Sequence, residues 1–284
     1  MKLEEFKTFL IENLNLNKIK IDLTDEEIES LFKYMNYILK VNENINLTAI
    51  KDPKEFIIKH IVDSIYIQKY IEIFKDEYSF DLEDMLESDQ LSKLEKEKFE
   101  NEPLKYLDIG TGGGFPLSAV NILNPNIESY GLDSTNKKLK VIEDSNLKIK
   151  TIHGRAEILA HDKNYRENFY IVSSRAVSNL NNIIQLMAGF VMPSGYLICM
   201  KGEKENFDDK LIEKFSLELS HIEEYTIDAA KRTIYIFKKI DFLKDSLPNK
   251  NSKYYLKEKE KENNKSINKN KNKKNKNKKN RHKN

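Results

Sequence analysis

The sequence predicts an α/β fold: an open, mostly parallel sheet with an antiparallel hairpin at one edge, preceded by a helical N-terminal extension. Three observations carry this. Residues 104–133 read as strand, glycine loop, helix, strand and acid, which is a nucleotide-binding βαβ unit. Helical and strand patterns go on alternating through residues 136–215, as parallel strands joined by helices require. The last two strand-like runs, 218–227 and 233–237, have no full helix between them, so they make a hairpin at a sheet edge.

In chain order, residues 2–14 suit a first short helix. Thr24 with Glu27 three residues later is a capping box. Ile28, Leu31, Phe32, Met35, Ile38 and Leu39 follow at i, i+3, i+4 spacing, so residues 25–40 form an amphipathic helix. Residues 42–50 are a polar connector containing Asn46-Leu47-Thr48. Asp52-Pro53-Lys54-Glu55 combines an N-cap acid with proline at the first helical position. The helix it starts should reach about Phe74. His60, Asp63 and Ser64 share one of its faces, where pairing inside the helix is the simple reading. Residues 75–103 are dense in Asp, Glu, Lys, Leu and Phe, without glycine. They read as a charged insertion, either mobile or holding a solvated helix around 91–99.

The first core strand is 104–109, followed by a helix that ends near Asn124-Pro125. Strand 127–132 stops on Asp133. Then come helix 136–145, strands 148–152 and 169–173, and helix 179–190. A turn at Pro193-Ser194-Gly195 leads to strand 195–200 and helix 205–215. The expected division is a helical N-terminal region over residues 1–74, the insertion 75–103, a ligand-binding core 104–242 and a Lys/Asn-rich disordered tail 243–284.

The glycine spacing narrows the ligand. Gly110, Gly112 and Gly114 give G-x-G-x-G, and Phe115 stands where a dinucleotide fingerprint needs its third glycine. No Lys-Ser or Lys-Thr follows, so the loop is not a P-loop. It suits an adenosine-type ligand without a pyrophosphate, and S-adenosylmethionine (SAM) fits. Asp133 lies where a carboxylate accepts ribose hydroxyls. In such sheets the ligand sits at the carboxyl ends of the strands. Polar clusters follow three of them: His153-Gly154-Arg155-Ala156-Glu157, Ser173-Ser174-Arg175-Ala176 and Lys201-Gly202.

Composition sets the surroundings. The chain has 284 residues, with no apolar run long enough to span a membrane and no signal peptide at its acidic, amphipathic start. One cysteine, Cys199, excludes an internal disulfide and a cysteine-based metal site. A cytoplasmic protein without metal or membrane is expected. The net charge of +2 hides an asymmetry: ten Lys and Arg follow Glu262 with no acid among them, which leaves −8 on residues 1–262. Such a tail either attracts phosphates or reflects drift in an A-rich genome.

The motifs in this order resemble a known family. They are Asn46-Leu47-Thr48, Asp52-Pro53, His60-Ile61-Val62-Asp63-Ser64, Asp108 through Pro116, Leu132-Asp133-Ser134, Arg155-Ala156-Glu157, Ser174-Arg175-Ala176 and Lys201-Gly202. Together they are similar to the bacterial small-subunit ribosomal RNA methyltransferase G family, also called glucose-inhibited division protein B, over about residues 23–239. The resemblance implies a Rossmann-like class I SAM-dependent methyltransferase that acts on N7 of one guanine in 16S rRNA. It implies SAM contacts at Gly110, Phe115, Ala156, Glu157 and Arg175, beside Gly112 of the loop and Asp133. Arg155, Arg175 and Lys201 are candidate RNA contacts, and Lys137, Lys138, Lys140 and Lys204 could extend a basic patch. The partner would be 16S rRNA or the small ribosomal subunit, bound by a monomer. The chain departs from the family at Leu117-Ser118-Ala119, where Phe-Pro usually continues Gly-Ile-Pro.

Guanine N7 has an in-plane lone pair and needs no deprotonation, so alignment matters more than a general base. No acid/base dyad is expected, and no catalytic residue is assigned. The rival readings are a methyltransferase with a protein or small-molecule acceptor, and a non-catalytic adenosine- or RNA-binding module. A nicotinamide dehydrogenase is disfavoured by the misplaced third glycine.

Overall fold

The computed structural model of the protein describes residues 1–87 and 103–249. Helix α1 (Leu3–Leu16) buries Phe6, Leu10 and Leu14. Helix α2 (Asp25–Asn42) starts at the capping box: Glu27 N donates to Thr24 Oγ1 at 3.2 Å and Thr24 N to Glu27 Oε2 at 2.7 Å. Its acidic first turn suits the positive end of the helix dipole. Ile28, Leu31, Tyr34, Met35 and Ile38 form its buried face. Asp52 Oδ1 then accepts Glu55 N at 2.9 Å, and Pro53 opens α3 (Pro53–Phe56).

The single helix expected up to Phe74 is broken. α3 passes into a π-helical turn, Ile57–Val62, and then into α4 (Asp63–Ile65). A turn at Tyr66 and Ile67 precedes α5 (Gln68–Glu87), which carries on into the stretch assigned to the insertion. No glycine or proline marks the break. Tertiary partners explain it: Tyr66 and Tyr70 both donate to Glu223, and Tyr66 stacks on Tyr225 with centroids 3.6 Å apart. The helix expected around 91–99 and the chain from 250 onward lie outside the described residues.

Among the described residues the sheet holds seven strands in the order β3-β2-β1-β4-β5-β7-β6. β1 (Lys105–Ile109), β2 (Glu128–Asp133), β3 (Ile149–His153), β4 (Phe169–Arg175) and β5 (Val191–Lys201) are parallel. β7 (Ala230–Lys239) runs antiparallel between β5 and the edge strand β6 (Leu217–Ile227), which gives the expected hairpin. The order reverses between β1 and β4, so a crevice opens beyond their carboxyl ends. The connecting helices are α6 (Leu117–Leu123), α7 (Asn136–Glu143), α8 (Ala156–Leu159), α9 (Leu180–Met187) and α10 (Asp209–Lys214); α7, α9 and α10 are shorter than their patterns suggest, and α8 is a short helix that no pattern marks. Pro193-Ser194-Gly195, expected as a turn, lies inside β5, where the pairing with β4 shifts between Phe169 and Ile171.

Side chains alternate across the strands, and each face has its own core. Leu107, Ile109, Val172, Leu197, Cys199 and Phe237 pack with α9 on one side. Tyr106, Ile171, Ile198, Ile234 and Ile236 pack with α5 and α6 on the other. A third cluster joins Phe6, Leu10, Met35 and Phe56 to Phe115, Ala119 and Val141. Fully buried side chains of this size contribute roughly 2 kcal/mol each, enough to seal the N-terminal helices onto the sheet. Residues Met1–Pro248 form one compact unit. It runs on past β7 because Leu243 and Leu247 are buried and the Arg166 guanidinium donates to the carbonyls of Leu243 and Leu247 at 3.0 and 2.8 Å. Among the described residues no helix is long and apolar enough to cross a membrane.

Candidate active site

The site is built on the turn after β1. Gly110 N and Thr111 N donate to Leu132 O at 2.8 and 3.1 Å, folding the loop across the end of β2. Gly110 and Gly114 have φ of +72° and +82°, which a residue with a Cβ resists. A Cβ on Gly110 would overlap Val177 Cγ2, and one on Gly114 would overlap Tyr34 Oη. Tyr34 comes from α2, is buried, and donates to Gly113 O at 3.0 Å. The loop is therefore shaped from below by the N-terminal helices.

Asp133 closes β2 beside the loop. Its Oδ2 accepts Gly112 N at 3.1 Å and its Oδ1 accepts Thr135 N at 2.8 Å. Each oxygen keeps a second lone pair for a ligand. Gly154 N donates to Asp133 O at 3.2 Å, which brings the Arg155-Ala156-Glu157 segment next to it. Ala156 opens α8, and Arg155 donates to Glu157 Oε1 from Nε at 3.0 Å and Nη2 at 2.7 Å.

Asp108 sits on β1 opposite Gly131 and Ser173 and is 1% exposed. Tyr106 Oη and Ser173 Oγ are 2.6 Å apart, and Ser173 Oγ donates to Asp108 Oδ1 at 2.7 Å. Burial pushes the Asp108 carboxyl up to about 6, although the Ser173 and Thr111 hydroxyls and the Arg175 charge oppose this. Among the described residues, Asp108 Oδ2 and Thr111 Oγ1 nonetheless find no full hydrogen bond. A buried acceptor and a buried hydroxyl thus lie together at the glycine loop with capacity to spare, which is costly unless a ligand uses it.

Phe115, Arg175 and His60 form the remaining wall. The Phe115 ring is edge-on to Tyr34 and Phe56 and stacked on His60, with the His60 and Phe115 centroids 5.2 Å apart. Arg175 Nη2 donates to His60 Nδ1 at 3.0 Å, and Nη1 donates to Lys59 O and Asp63 Oδ2, both at 3.3 Å. A guanidinium has only donors, so His60 Nδ1 carries a lone pair and Nε2 carries the proton. Nε2 then donates to Thr48 Oγ1 at 2.8 Å. Burial, the Arg175 charge and the Lys59 charge push the His60 imidazole down to about 3. Asp63 also accepts Tyr225 Oη at 3.0 Å and faces Arg232 at 3.5 Å.

Gly110, Gly112, Phe115, Asp133 and Arg175 thus surround one loop, with Ala156 and Glu157 on the β3 side. Lys201, at the end of β5, is buried; its Nζ donates to Ser178 O and pairs with Glu205 Oε1 at 2.8 Å. Of the cations considered for RNA, Arg155, Arg175, Lys201 and Lys204 each lie against a protein acceptor. Lys137 and Lys140 on α7 are exposed. Asp108, Thr111 and Tyr34 also border this candidate site, beyond the residues expected there. For Asp108 the signal was present: a carboxylate inside an apolar strand, directly before the glycines, needs a reason to be there. For Tyr34 no local pattern separates it from its apolar neighbours.

A family model described as rRNA small subunit methyltransferase G matches residues 27–82 and 79–237. The chain belongs to this family. Curated relatives agree. The ribosomal RNA small subunit methyltransferase G of Clostridium novyi is 32% identical over 84% of this chain and 91% of its own length. That of Acetivibrio thermocellus is 33% identical over 82% and 89%. That of Lactobacillus acidophilus is 31% identical over 80% and 89%. For a member of the methyltransferase G family, the Rossmann-like sheet, the enzyme class and the use of SAM are those expected from the motifs. The departure at Leu117 is accommodated by the fold: Leu117 is fully buried and lies against Gly131 of β2.

Proposed function

We propose that the protein methylates N7 of a single guanine in the 16S rRNA of the small ribosomal subunit, with SAM as methyl donor. The observation that carries this is the glycine loop with Asp133 on one side and the unpartnered Asp108 Oδ2 on the other, in a chain of the methyltransferase G family.

The residues present suit SAM. Asp133 has lone pairs for ribose hydroxyls, and the loop admits a ligand where a Cβ would intrude. Asp108 Oδ2 and Thr111 Oγ1 would take the ammonium and carboxylate end of the methionine tail, one as acceptor and one as donor. Ala156, Glu157 and Phe115 would line the adenine side. Bound there, SAM supplies an electrophilic methyl group on a sulfonium. The protein holds the acceptor base in line and excludes water, and it need not remove a proton from N7. His60 is unsuited to act as a base, because both its ring nitrogens are engaged within the fold.

Two substitutions separate binding from transfer. Asp133→Ala raises the SAM Kd by about tenfold or more in calorimetry, since each charge-assisted hydrogen bond contributes roughly 1.5–3 kcal/mol. Arg175→Ala lowers methyl transfer even when SAM is saturating. Normal SAM affinity in the Asp133 variant would count against its ribose role. The central experiment is transfer of labelled methyl to small subunits that lack the modification, with the product mapped by cleavage at N7-methylguanine. One modified guanine in 16S rRNA is the expected outcome. Tight SAM binding without transfer would redirect the search to other acceptors.

A further inference from the structure

Two residues expected to meet the cofactor, Phe115 and Arg175, lie far apart in sequence and on different elements. One side chain touches both. His60, from the π-helical turn of the N-terminal helices, stacks on the Phe115 ring and accepts the Arg175 guanidinium on Nδ1. Its other nitrogen is tied to Thr48 Oγ1, which also accepts Ile50 N at 3.1 Å. The connector behind Thr48 is itself held. Asn42 Oδ1 accepts Leu47 N and Thr48 N at 2.8 and 3.0 Å, and Asn42 Nδ2 donates to Thr48 O at 2.9 Å. A chain of fixed hydrogen bonds therefore runs from the end of α2, through Thr48 and His60, to Arg175 at the end of β4. π-turns carry an extra residue per turn at some energetic cost and concentrate at functional sites. Here the π-turn places His60 between Phe56 and Phe115, with the Phe56 ring edge-on at 4.7 Å.

We propose that His60 is a positioning residue for methyl transfer, orienting Arg175 and Phe115 against the cofactor loop through a neutral imidazole whose two nitrogens have fixed roles. This rests on the methyltransferase reading above. An imidazole suits the position because it is at once a flat ring for Phe115, an acceptor toward Arg175 and a donor toward Thr48. Its low proton affinity keeps the Nδ1 acceptor available to the guanidinium at neutral pH. The Lys59 carbonyl and the Asp63 carboxylate hold the other side of the guanidinium, so losing His60 frees one edge of it without releasing the arginine altogether.

Three variants and one spectrum test this. His60→Phe keeps a ring against Phe115 and removes both nitrogens. His60→Asn places an amide oxygen close to the Nδ1 position, and His60→Gln places an amide nitrogen close to the Nε2 position. With small subunits as acceptor and SAM saturating, His60→Phe is expected to lower kcat about tenfold, the size of one lost hydrogen bond to a charged group. His60→Asn recovers most of kcat and His60→Gln little of it. In an Arg175→Lys background His60→Phe costs little more, because the two act as a unit. A kcat for His60→Phe equal to wild type would overturn the proposal. So would losses in the three variants that simply follow their thermal stability. The imidazole 15N shifts of the full-length protein decide the hydrogen bond independently of any acceptor. A neutral ring protonated on Nε2 is expected at neutral pH, and an Nδ1-protonated or doubly protonated ring refutes the proposal. A wild-type protein without transfer would remove the functional reading, and the 15N result would still decide whether His60 holds Arg175 as described.

Discussion

Asp108→Asn is expected to make the ligand-free protein more stable at pH 8 and at the same time to weaken SAM binding. The carboxyl is buried on β1 and is pushed from 3.8 up to about 6. Its folded value lies above its unfolded value, so the folded state holds the proton more tightly. Stability falls as pH rises from about 4 to about 6 and stays lower above that. A shift of about two units corresponds to roughly 3 kcal/mol. Asparagine removes the buried charge, and its amide oxygen can still accept from Ser173 Oγ. We expect the variant to gain about 2 kcal/mol in urea unfolding at pH 8 and much less at pH 5. Calorimetry with SAM should show a Kd raised at least about tenfold, because a cation-accepting oxygen is gone. A variant no more stable at pH 8 than wild type would mean that Asp108 is not held charged at a cost, and that the ligand-free site stores no strain there.

Gly114→Ala should be among the most damaging single-methyl changes in the protein. Two penalties coincide. The backbone is at φ +82°, which costs an L-residue about 1–2 kcal/mol. The new Cβ also runs into the hydroxyl of Tyr34, whose ring is fixed by Phe115 and buried in α2's packed face. Overpacking of this kind costs about 1–3 kcal/mol, so a loss near 3 kcal/mol is expected in denaturant unfolding, with SAM affinity falling as the loop is displaced. Adding Tyr34→Phe isolates the steric share. The hydroxyl is removed, while Tyr34 Cζ remains 3.3 Å from the Cβ position and the positive φ is unchanged. The double variant should therefore recover some of the loss and not all of it. A double variant no better than Gly114→Ala alone would show that the loop yields by backbone movement and that Tyr34 does not limit it.

Much of this architecture could be read from the chain. The capping box at Thr24 and Glu27, the glycine loop and the alternation after Asp133 are local signals, and local hydrogen bonds and side-chain periodicity satisfy them. The features that escaped depend on partners distant in sequence. The break at Tyr66 and Ile67 is set by Glu223 and Tyr225 on the hairpin, more than 150 residues away. The sequence marks Arg175 and Lys201 as candidate ligand or RNA contacts by their place at strand ends, but not the protein groups that hold them. Glu205 lies only four residues beyond Lys201, but the other acceptors, His60, Asp63 and Ser178 O, come from segments whose proximity no spacing reveals. Strand and helix bounds differed most where a bulge or a short helix let tertiary packing override the pattern, as in β5 and α10.

The position of β7 has a consequence for how the protein is made. Translation delivers the chain from its N-terminus, yet β7 must enter between β5 and β6, both of which emerge earlier. Until residues 230–239 leave the ribosome, β5 ends the parallel sheet with a bare row of peptide groups, and β6 has no neighbour to pair with. A nascent chain halted in this interval exposes an adhesive strand margin, and chaperones recognise such surfaces. Completion is therefore abrupt: one ten-residue strand, arriving late, caps β5 and recruits the outermost strand in the same event.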